Sequence, residues 1–498
     1  MPDPTHPPLG IDLGTTHSLV AVFEDGGPRV LEHDLGSALV PSQVALDDDD
    51  HLLVGFPART LRQRRPERGL ARFKPDMGQA RDLKLGDTVL NPVTASALVL
   101  KELKAAAEAR LGFPVQRAVI SVPAWFREPQ RKATLDAGQL AGFDVQRLIN
   151  EPTAAALAHG LHADDDMRRV AVLDLGGGTF DVTVIELFEG LVDVRASVGD
   201  VHLGGEDATD AIVSWLTQQG SALSLTPLAF ARVRHRAERA KRALSEASVV
   251  EIDRSDIDGG TSRLDRATFA ELCAPLLERM RALIGQALVQ ASLTPADIDD
   301  VVLVGGSVRI PAVQDLATRV FGKPPLPLGE VDELVALGAA VQAGLIQGHA
   351  ALRERLVTDV LTHSLGVSAV RSWQDEVYAD RFVPLLGRGT TLPASRASTF
   401  QTVHPTQSEV VLHVYEGERR VASENHLLGT LSVPVPAHGE DEDVREALEI
   451  RFTHDASGLL EVEATVLSNR RRRARCWSGV VNPTTRTRGP RSRPSSPP

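Results

Sequence analysis

The sequence predicts a duplicated, two-lobed α/β domain followed by an all-β sandwich. Three observations carry that reading. Val170–Ile185, VAVLDLGGGTFDVTVI, is an apolar run broken by three glycines and resumed as alternating Val and polar residues. Leu9–Val22, LGIDLGTTHSLVAV, repeats the design: apolar lead, Asp, Leu, Gly, a small-residue turn and Thr. From Leu365 to Leu467 an alternating pattern dominates, with turn residues at regular intervals. A repeated unit implies a duplicated domain. Sustained period-2 alternation implies half-buried strands.

In the first stretch the apolar lead reads as a buried strand and Thr179–Ile185 as its hairpin partner. Three glycines between strands let the backbone take φ > 0 and approach a ligand closely. Amides in such a turn converge on an anion. Asp174 and Asp181 flank it. An acid beside an anion-binding loop repels phosphate unless a cation stands between them. The stretch therefore points to Mg²⁺ with a nucleotide. With one loop per half, the ligand would sit in the cleft between halves.

At 498 residues two or three domains are expected. A charged fraction of 24% and an apolar fraction of 42% are those of a globular protein. The net charge of −12 argues against general affinity for nucleic acid or an anionic membrane. Two cysteines are too few for a disulfide framework or a cysteine-rich metal site. MPDPTHPPLG has neither the basic nor the apolar region of a signal peptide, and no apolar stretch is long enough to span a bilayer, so a cytoplasmic protein is expected.

Along the chain, Asp47–Asp50 reads as a solvated acidic loop and Arg62–Arg68 as loop or helix end. Val93–Gly112 has helical spacing and a glycine stop; Arg117–Pro123 is a buried strand. Glu151–Gly160 is a helix opened by an acid and Pro152. Gly199–Asp207 is another glycine-rich turn, Arg232–Ser245 a basic helix and Asp265–Ser292 one long amphipathic helix. Asp300–Pro311 repeats the strand–Gly-Gly–helix design, and Val335–Gly348 is a small-residue helix packed closely on a neighbour. In the β region, Leu448–Phe452 and Leu460–Val466 form a hairpin around Asp455–Gly458. Residues 469–498 are rich in Arg, Pro, Ser and Thr and cannot bury enough surface to order themselves.

Five motifs in order, GIDLGTTHS, NEPTAAALAHG, LDLGGGTFD, ERAKRALS and LVGGSVRIP, resemble the seventy-kilodalton heat-shock chaperones, the DnaK-like family, over about residues 9–468. The short segment between GGED and ERAKRALS resembles the HscC-like branch. The resemblance implies an actin-like ATPase domain (1–354), an interdomain linker (355–361), a β-sandwich peptide-binding domain (362–468) and a disordered tail (469–498). Family members carry a helical lid after the β domain; no lid-length amphipathic helix follows here, so fast peptide exchange is expected. The abrupt change of composition points to a truncated or frameshifted gene end.

Gly14, Thr15 and Thr16 resemble the first phosphate loop, and Gly176, Gly177, Gly178 and Thr179 the second. Plain tight turns would need no threonine or flanking acid. Asp12 and Asp174 resemble acids that hold water-coordinated Mg²⁺ and monovalent cations such as K⁺; turn capping is their plain alternative. Glu151 resembles the acid that senses the metal's water shell; an acid at a helix start is otherwise a cap, and Asp181 has the same two readings. Lys74 resembles the lysine that orients the attacking water, against the plain reading of surface charge. Glu238, Lys241, Arg242 and Ser245 share one helix face, either a solvated ion-pair stripe or, by resemblance, an adenosine clamp with Arg242 stacked on the base. By resemblance Gly204, Gly205, Gly305, Gly306, Ser307, Arg309 and Asp332 complete the nucleotide rim.

Arg147, Asn150 and Thr153 resemble a docking surface for a J-domain cochaperone; the bland reading is ordinary exposed polar residues. In the linker, RLVTDV is less apolar than the family pattern because Thr358 interrupts it. Leu365, Val367, Phe400, Val410 and Leu412 resemble the peptide groove, with Val370 and Val403 as its arch; sandwich core is the alternative. Arg470–Arg473 could suggest nucleic acid, but a solvated tail is commoner.

The resemblance implies an ATP-dependent chaperone cycling ATP and ADP with Mg²⁺, holding unfolded or extended clients by β-augmentation plus an apolar pocket, and served by a J-domain partner and a nucleotide exchange factor. A small-molecule kinase of the actin-like superfamily is the alternative from another class, and would leave the β domain unexplained. An uncoupled nucleotide-binding scaffold is the third.

Overall fold

In the computed structural model of the chain, residues 6–476 are described apart from 34–35, 160–166, 189–190, 219–224, 328–330, 353–358, 362, 374–375, 439–443 and 456–458. Two sheets organise the first part. In one, the strands run in the order Asp144–Asn150, Arg117–Val122, Leu9–Asp12, His17–Glu24, Gly27–Val30. In the other the order is Asp300–Val304, Arg168–Leu175, Phe180–Phe188, Leu191–Asp200. In both, the strand leading into a glycine loop pairs antiparallel with its hairpin partner and parallel with a later strand. The duplication read from the two loops is therefore a duplication of topology.

Helices cover the sheets, as strands buried on both faces require. The first lobe carries α1 (Phe56–Arg64), α2 (Pro92–Leu111), α3 (Glu128–Leu140) and α4 (Glu151–Ala158). The second carries α5 (Gly205–Gln218), α6 (Pro227–Ala243), α7 (Arg266–Leu272), α8 (Ala274–Ala291), α9 (Pro311–Phe321) and α10 (Leu334–Gln347). The expected single helix over Asp265–Ser292 is two. Asp265 caps α7, accepting from the Thr268 N–H at 2.8 Å, and the chain breaks at Cys273. Pro275, lacking an N–H, can enter only the first turn of the helix that follows.

α10 is where the lobes meet. It packs on α4 and on the strand Leu9–Asp12, and its alanines share one buried cluster with residues of both sheets, Leu19 and Val172 among them. A Cβ on Gly338 would run into the Ala154 backbone, and one on Gly10 into the Ala340 backbone. Small residues are thus required by backbone-to-backbone approach.

The β domain is two four-stranded antiparallel sheets. One orders Glu376–Leu386, Leu365–Trp373, Glu409–Glu416, His426–Pro434; the other Ala394–Gln401, Ala447–His454, Leu460–Val466, Arg472–Cys476. Their inner faces share one core containing Val367, Val414, Ile450, Phe452 and Val462. The last strand corrects an expectation, since it lies inside the stretch read as a disordered tail. It pairs from Glu461↔Cys476 to Thr465↔Arg472, while Arg472, Arg473 and Arg475 stay exposed. A backbone ladder needs no apolar side chains, so composition did not reveal it. Residues 477–498 lie outside the described residues.

Of the segment 355–361, expected as the interdomain linker, 355–358 lie outside the described residues; Asp359–Val360 pairs with Thr391–Leu392 and packs beside the strand Leu191–Asp200. The β domain rests on α3. The Leu460 N–H donates to Glu128 Oε1 at 3.0 Å in a buried contact, Arg127 stands 4.0 Å from Glu416, and Leu459 packs on the first lobe's core. Arg388 also donates to Gln290 at the end of α8.

Candidate functional site

A cavity of about 800 Å³ opens between the lobes, lined by both glycine loops. It gathers Asp12, Gly14, Thr15, Thr16, Lys74, Glu151, Asp174, Gly176, Gly177, Thr179, Glu238, Lys241, Arg242, Ser245, Gly305, Gly306, Ser307, Arg309 and Asp332. Gly178, Gly204 and Gly205 do not line it. Gly204 lies against the Gly177 backbone, while the Gly205 and Glu206 N–H groups donate to the Gly176 and Gly177 carbonyls at 2.9 and 2.7 Å. They brace the second loop from behind.

The loop glycines are needed for a reason other than the one expected. None of Gly14, Gly176, Gly177 and Gly178 has positive φ. A Cβ on Gly177 would instead strike the Thr16 side chain, and one on Gly14 the His17 carbonyl. At Gly177 the facing loop leaves no room for a side chain, and at Gly14 the turn itself leaves none. Ser18 and Ser42 fix the first loop: Gly14 N–H donates to Ser18 Oγ at 3.1 Å and Ser42 Oγ–H to the Gly14 carbonyl at 2.8 Å.

Behind the loops is an acidic floor of the buried Glu151, Asp174 and Asp181 with the partly exposed Asp12. Lys74 is its buried cation, donating to Glu151 Oε1 at 2.6 Å. The plain readings of Lys74 as surface charge and of Glu151 as a simple helix cap therefore fail. Burial would lower the Lys74 ammonium, but Glu151, Asp12 and Asp174 outweigh it and hold the group above its ordinary value. Burial and the Glu151 charge push Asp12 up to about 6, despite Lys74 and the Ser121 hydroxyl at 2.8 Å. Asp174 is raised well above its ordinary range by burial, Glu151 and Asp12. Asp181 is raised likewise by burial and then Glu151 and Asp174, and neither of its oxygens meets hydrogen-bond geometry, though the Trp125 indole stands beside it. Four crowded carboxylates with one cation, one of them lacking a donor, fit a hard cation bound through oxygen.

At the other end of the cavity, Glu238 joins three donors: Thr209 Oγ1 at 2.6 Å, Lys241 Nζ at 2.7 Å and Arg242 Nε at 2.8 Å. Burial would raise its carboxyl, but Lys241, Thr209 and Arg242 hold it at about 2. The Arg242 side chain remains 65% exposed, leaving its guanidinium face open to a planar ring. Gly306 faces Asp332, which Arg309 holds at 3.0 Å, and Ser307 Oγ packs on Gly205.

Several cavity residues were not singled out by sequence reasoning. Arg72, at φ 60°, reaches Glu206 at 3.0 Å, and Glu206 also takes Arg234 at 2.6 Å, joining the lobes over the cleft. Arg59, Arg62 and His17 line the same space. Only His17, directly after the first loop, carried a signal that could have been read.

Other candidates fall elsewhere. Asn150 and Thr153 are 3% and 0% exposed, so they form no surface in this conformation; Arg131 donates to the Asn150 amide oxygen at 2.7 Å. Arg147 is half-buried beside them. Leu365, Val367 and Leu412 are buried in the sandwich core, with Phe400 and Val410 packed against it. Val370 and Val403, the expected arch, are 47% and 42% exposed.

A family model described as Hsp70 protein matches residues 8–475. That span takes in both lobes and the β domain, reaching into its last strand. The chain therefore belongs to the Hsp70 family, the ATP-hydrolysing chaperones that bind ATP or ADP with Mg²⁺ and hold extended client peptides.

Proposed function

We propose that this chaperone hydrolyses ATP in the inter-lobe cleft with the residues described above and passes the result to the β domain through α3 and the linker. The observation that carries this is the meeting of two facing glycine loops with an acidic floor that holds the buried Lys74. Thr15, Thr16 and Gly177 take the phosphates on their amides and hydroxyls, while the Gly176 N–H, donated to the Thr179 carbonyl at 3.0 Å, closes the turn. Asp12, Asp174 and Glu151 would hold Mg²⁺, which would supply the charge that neutralises the phosphates. Asp181 adds a site for K⁺. Lys74 Nζ and Thr179 Oγ1 orient water for in-line attack: its oxygen bonds to the γ-phosphorus as the bond to the bridging oxygen breaks, and its proton passes to an oxygen of the phosphate being released. Glu238, Lys241, Arg242 and Ser245 grip adenosine opposite Gly305, Gly306, Ser307, Arg309 and Asp332.

We take residues 1–354 as the nucleotide-binding domain, 355–361 as the linker and 362–476 as the client-binding domain. Clients would bind at the Val370–Val403 arch, over Phe400 and Val410. A J-domain cochaperone would engage the Arg147 region, with Asn150 and Thr153 reached only after rearrangement. The brevity of the segment between Gly205 and Glu238 supports the HscC-like branch, and a nucleotide exchange factor and a cytoplasmic setting complete the reading. Among the described residues no helix is long and apolar enough to cross a membrane.

Contacts such as Glu128 with the Leu460 amide favour a coupled chaperone over an inert scaffold. The test is steady-state ATP turnover with and without an extended apolar peptide, in the wild type and in Lys74→Ala. Stimulation in the wild type and its loss in the variant are expected. Turnover without stimulation would leave the scaffold reading.

A further inference from the structure

The first phosphate loop is followed at once by His17, whose ring lines the inter-lobe cavity. Its Nδ1 lies 3.3 Å from Thr16 Oγ1, on the first glycine loop, which lines the same cavity. Two arginines from other elements line the same cavity and act on the ring's charge, Arg59 on α1 of the first lobe and Arg242 on α6 of the second. Two acids line it as well, Glu238 on α6 and Asp332 before α10. Both acids are engaged: Glu238 by Thr209, Lys241 and Arg242, Asp332 by Arg309. Among the described residues, no hydrogen bond or ion pair links a carboxylate to the His17 ring. Burial, then Arg242 and Arg59, holds the imidazole down at about 4, so it is neutral near pH 7.

A polyphosphate entering this cavity changes that balance. Its negative charge lies on the loop beside the ring and offsets Arg59, which favours the charged form of the imidazole. A neutral ring has one N–H and can only accept the Thr16 hydroxyl proton at Nδ1 or donate to its oxygen. A charged ring has two N–H groups. Nδ1–H then donates to Thr16 Oγ1, the Thr16 hydroxyl is released to donate to phosphate, and Nε2–H becomes a second donor.

We propose that His17 is a nucleotide-contacting residue and that binding of the nucleoside polyphosphate takes up a proton from solvent onto its imidazole. This rests on the nucleotide reading of the cleft given above. It makes nucleotide affinity depend on pH, tightening as pH falls.

The test is calorimetry of MgADP binding to the full chain in two buffers of different ionisation enthalpy, for wild type, His17→Gln and His17→Asn. The wild type is expected to take up at least about half a proton per nucleotide near pH 7. Its affinity should strengthen from about pH 8 to about pH 6 by up to about tenfold per pH unit. Both amide variants are expected to bind, more weakly, with the buffer dependence gone and the pH profile flattened. Uptake equal in wild type and variants, or binding by the wild type with no uptake, overturns the assignment. If one variant fails to fold, the other and the wild-type pH profile decide. An absence of any binding heat in the folded wild type would instead overturn the nucleotide reading itself, and this proposal with it.

Discussion

Replacing Lys74 by Ala is the most direct perturbation of the cleft. Lys74 is the buried cation that faces Glu151, Asp12 and Asp174, and its contact with Glu151 is 2.6 Å long. Removing one partner of a buried ion pair leaves the other uncompensated, at a cost of about 3–5 kcal/mol. The nucleotide-free variant should therefore be less stable by about that much, with Asp12 and Asp174 driven further toward their protonated forms. MgADP should recover much of the loss by mass action, since it brings cationic charge to the same floor. Catalysis should not recover, because losing the group that orients the attacking water is expected to slow hydrolysis about 10²–10⁴-fold. The assay is single-turnover hydrolysis of MgATP with protein in excess, beside thermal melts with and without MgADP. A folded, nucleotide-binding variant that hydrolyses within about threefold of wild type would refute the role of Lys74.

Gly177→Ala places a methyl against the Thr16 side chain, at an overpacking cost of about 1–3 kcal/mol; the loops must part, and MgADP affinity by calorimetry should fall about tenfold or more. Unchanged affinity would show that the loops do not need to face each other so closely. Glu416, at the domain interface, is raised to about 7 by burial, against the pull of Arg127 and Arg131. The folded state thus holds a proton that the unfolded chain releases near its ordinary value of 4.5. Its contribution is fully present below that value and is lost as pH rises to about 7, at up to about 1.4 kcal/mol per pH unit. Urea unfolding across this range should be flatter for Glu416→Gln, and an identical slope would dismiss the residue as the source.

Much of the first part of the molecule was legible because its signals are local. The doubled Asp–Leu–Gly loops, the buried strands, the αL glycine at 112 that ends α2 and the small-residue α10 each lie in one short window. Periodicity and turn chemistry report such windows directly. The family's motif order then supplied the acidic floor and the adenosine clamp. Where the residues failed as a guide, the deciding contact lay far along the chain. Lys74 and Glu151 are 77 positions apart, and nothing near Arg72 shows that it will meet Glu206. Asn150 and Thr153 carry polar side chains, yet packing against α3 and α10 encloses them.

By itself the sequence determined the repeat, the order of α/β and all-β regions, and which residue types stand at the loops, because each is a property of neighbours in the chain. Only the tertiary structure decided that the loop glycines serve close approach, that an arginine-rich segment completes a sheet, and that Leu365, Val367 and Leu412 lie in the core. Those outcomes depend on what each residue packs against, and a backbone ladder or a facing loop from another lobe leaves no mark in the local pattern.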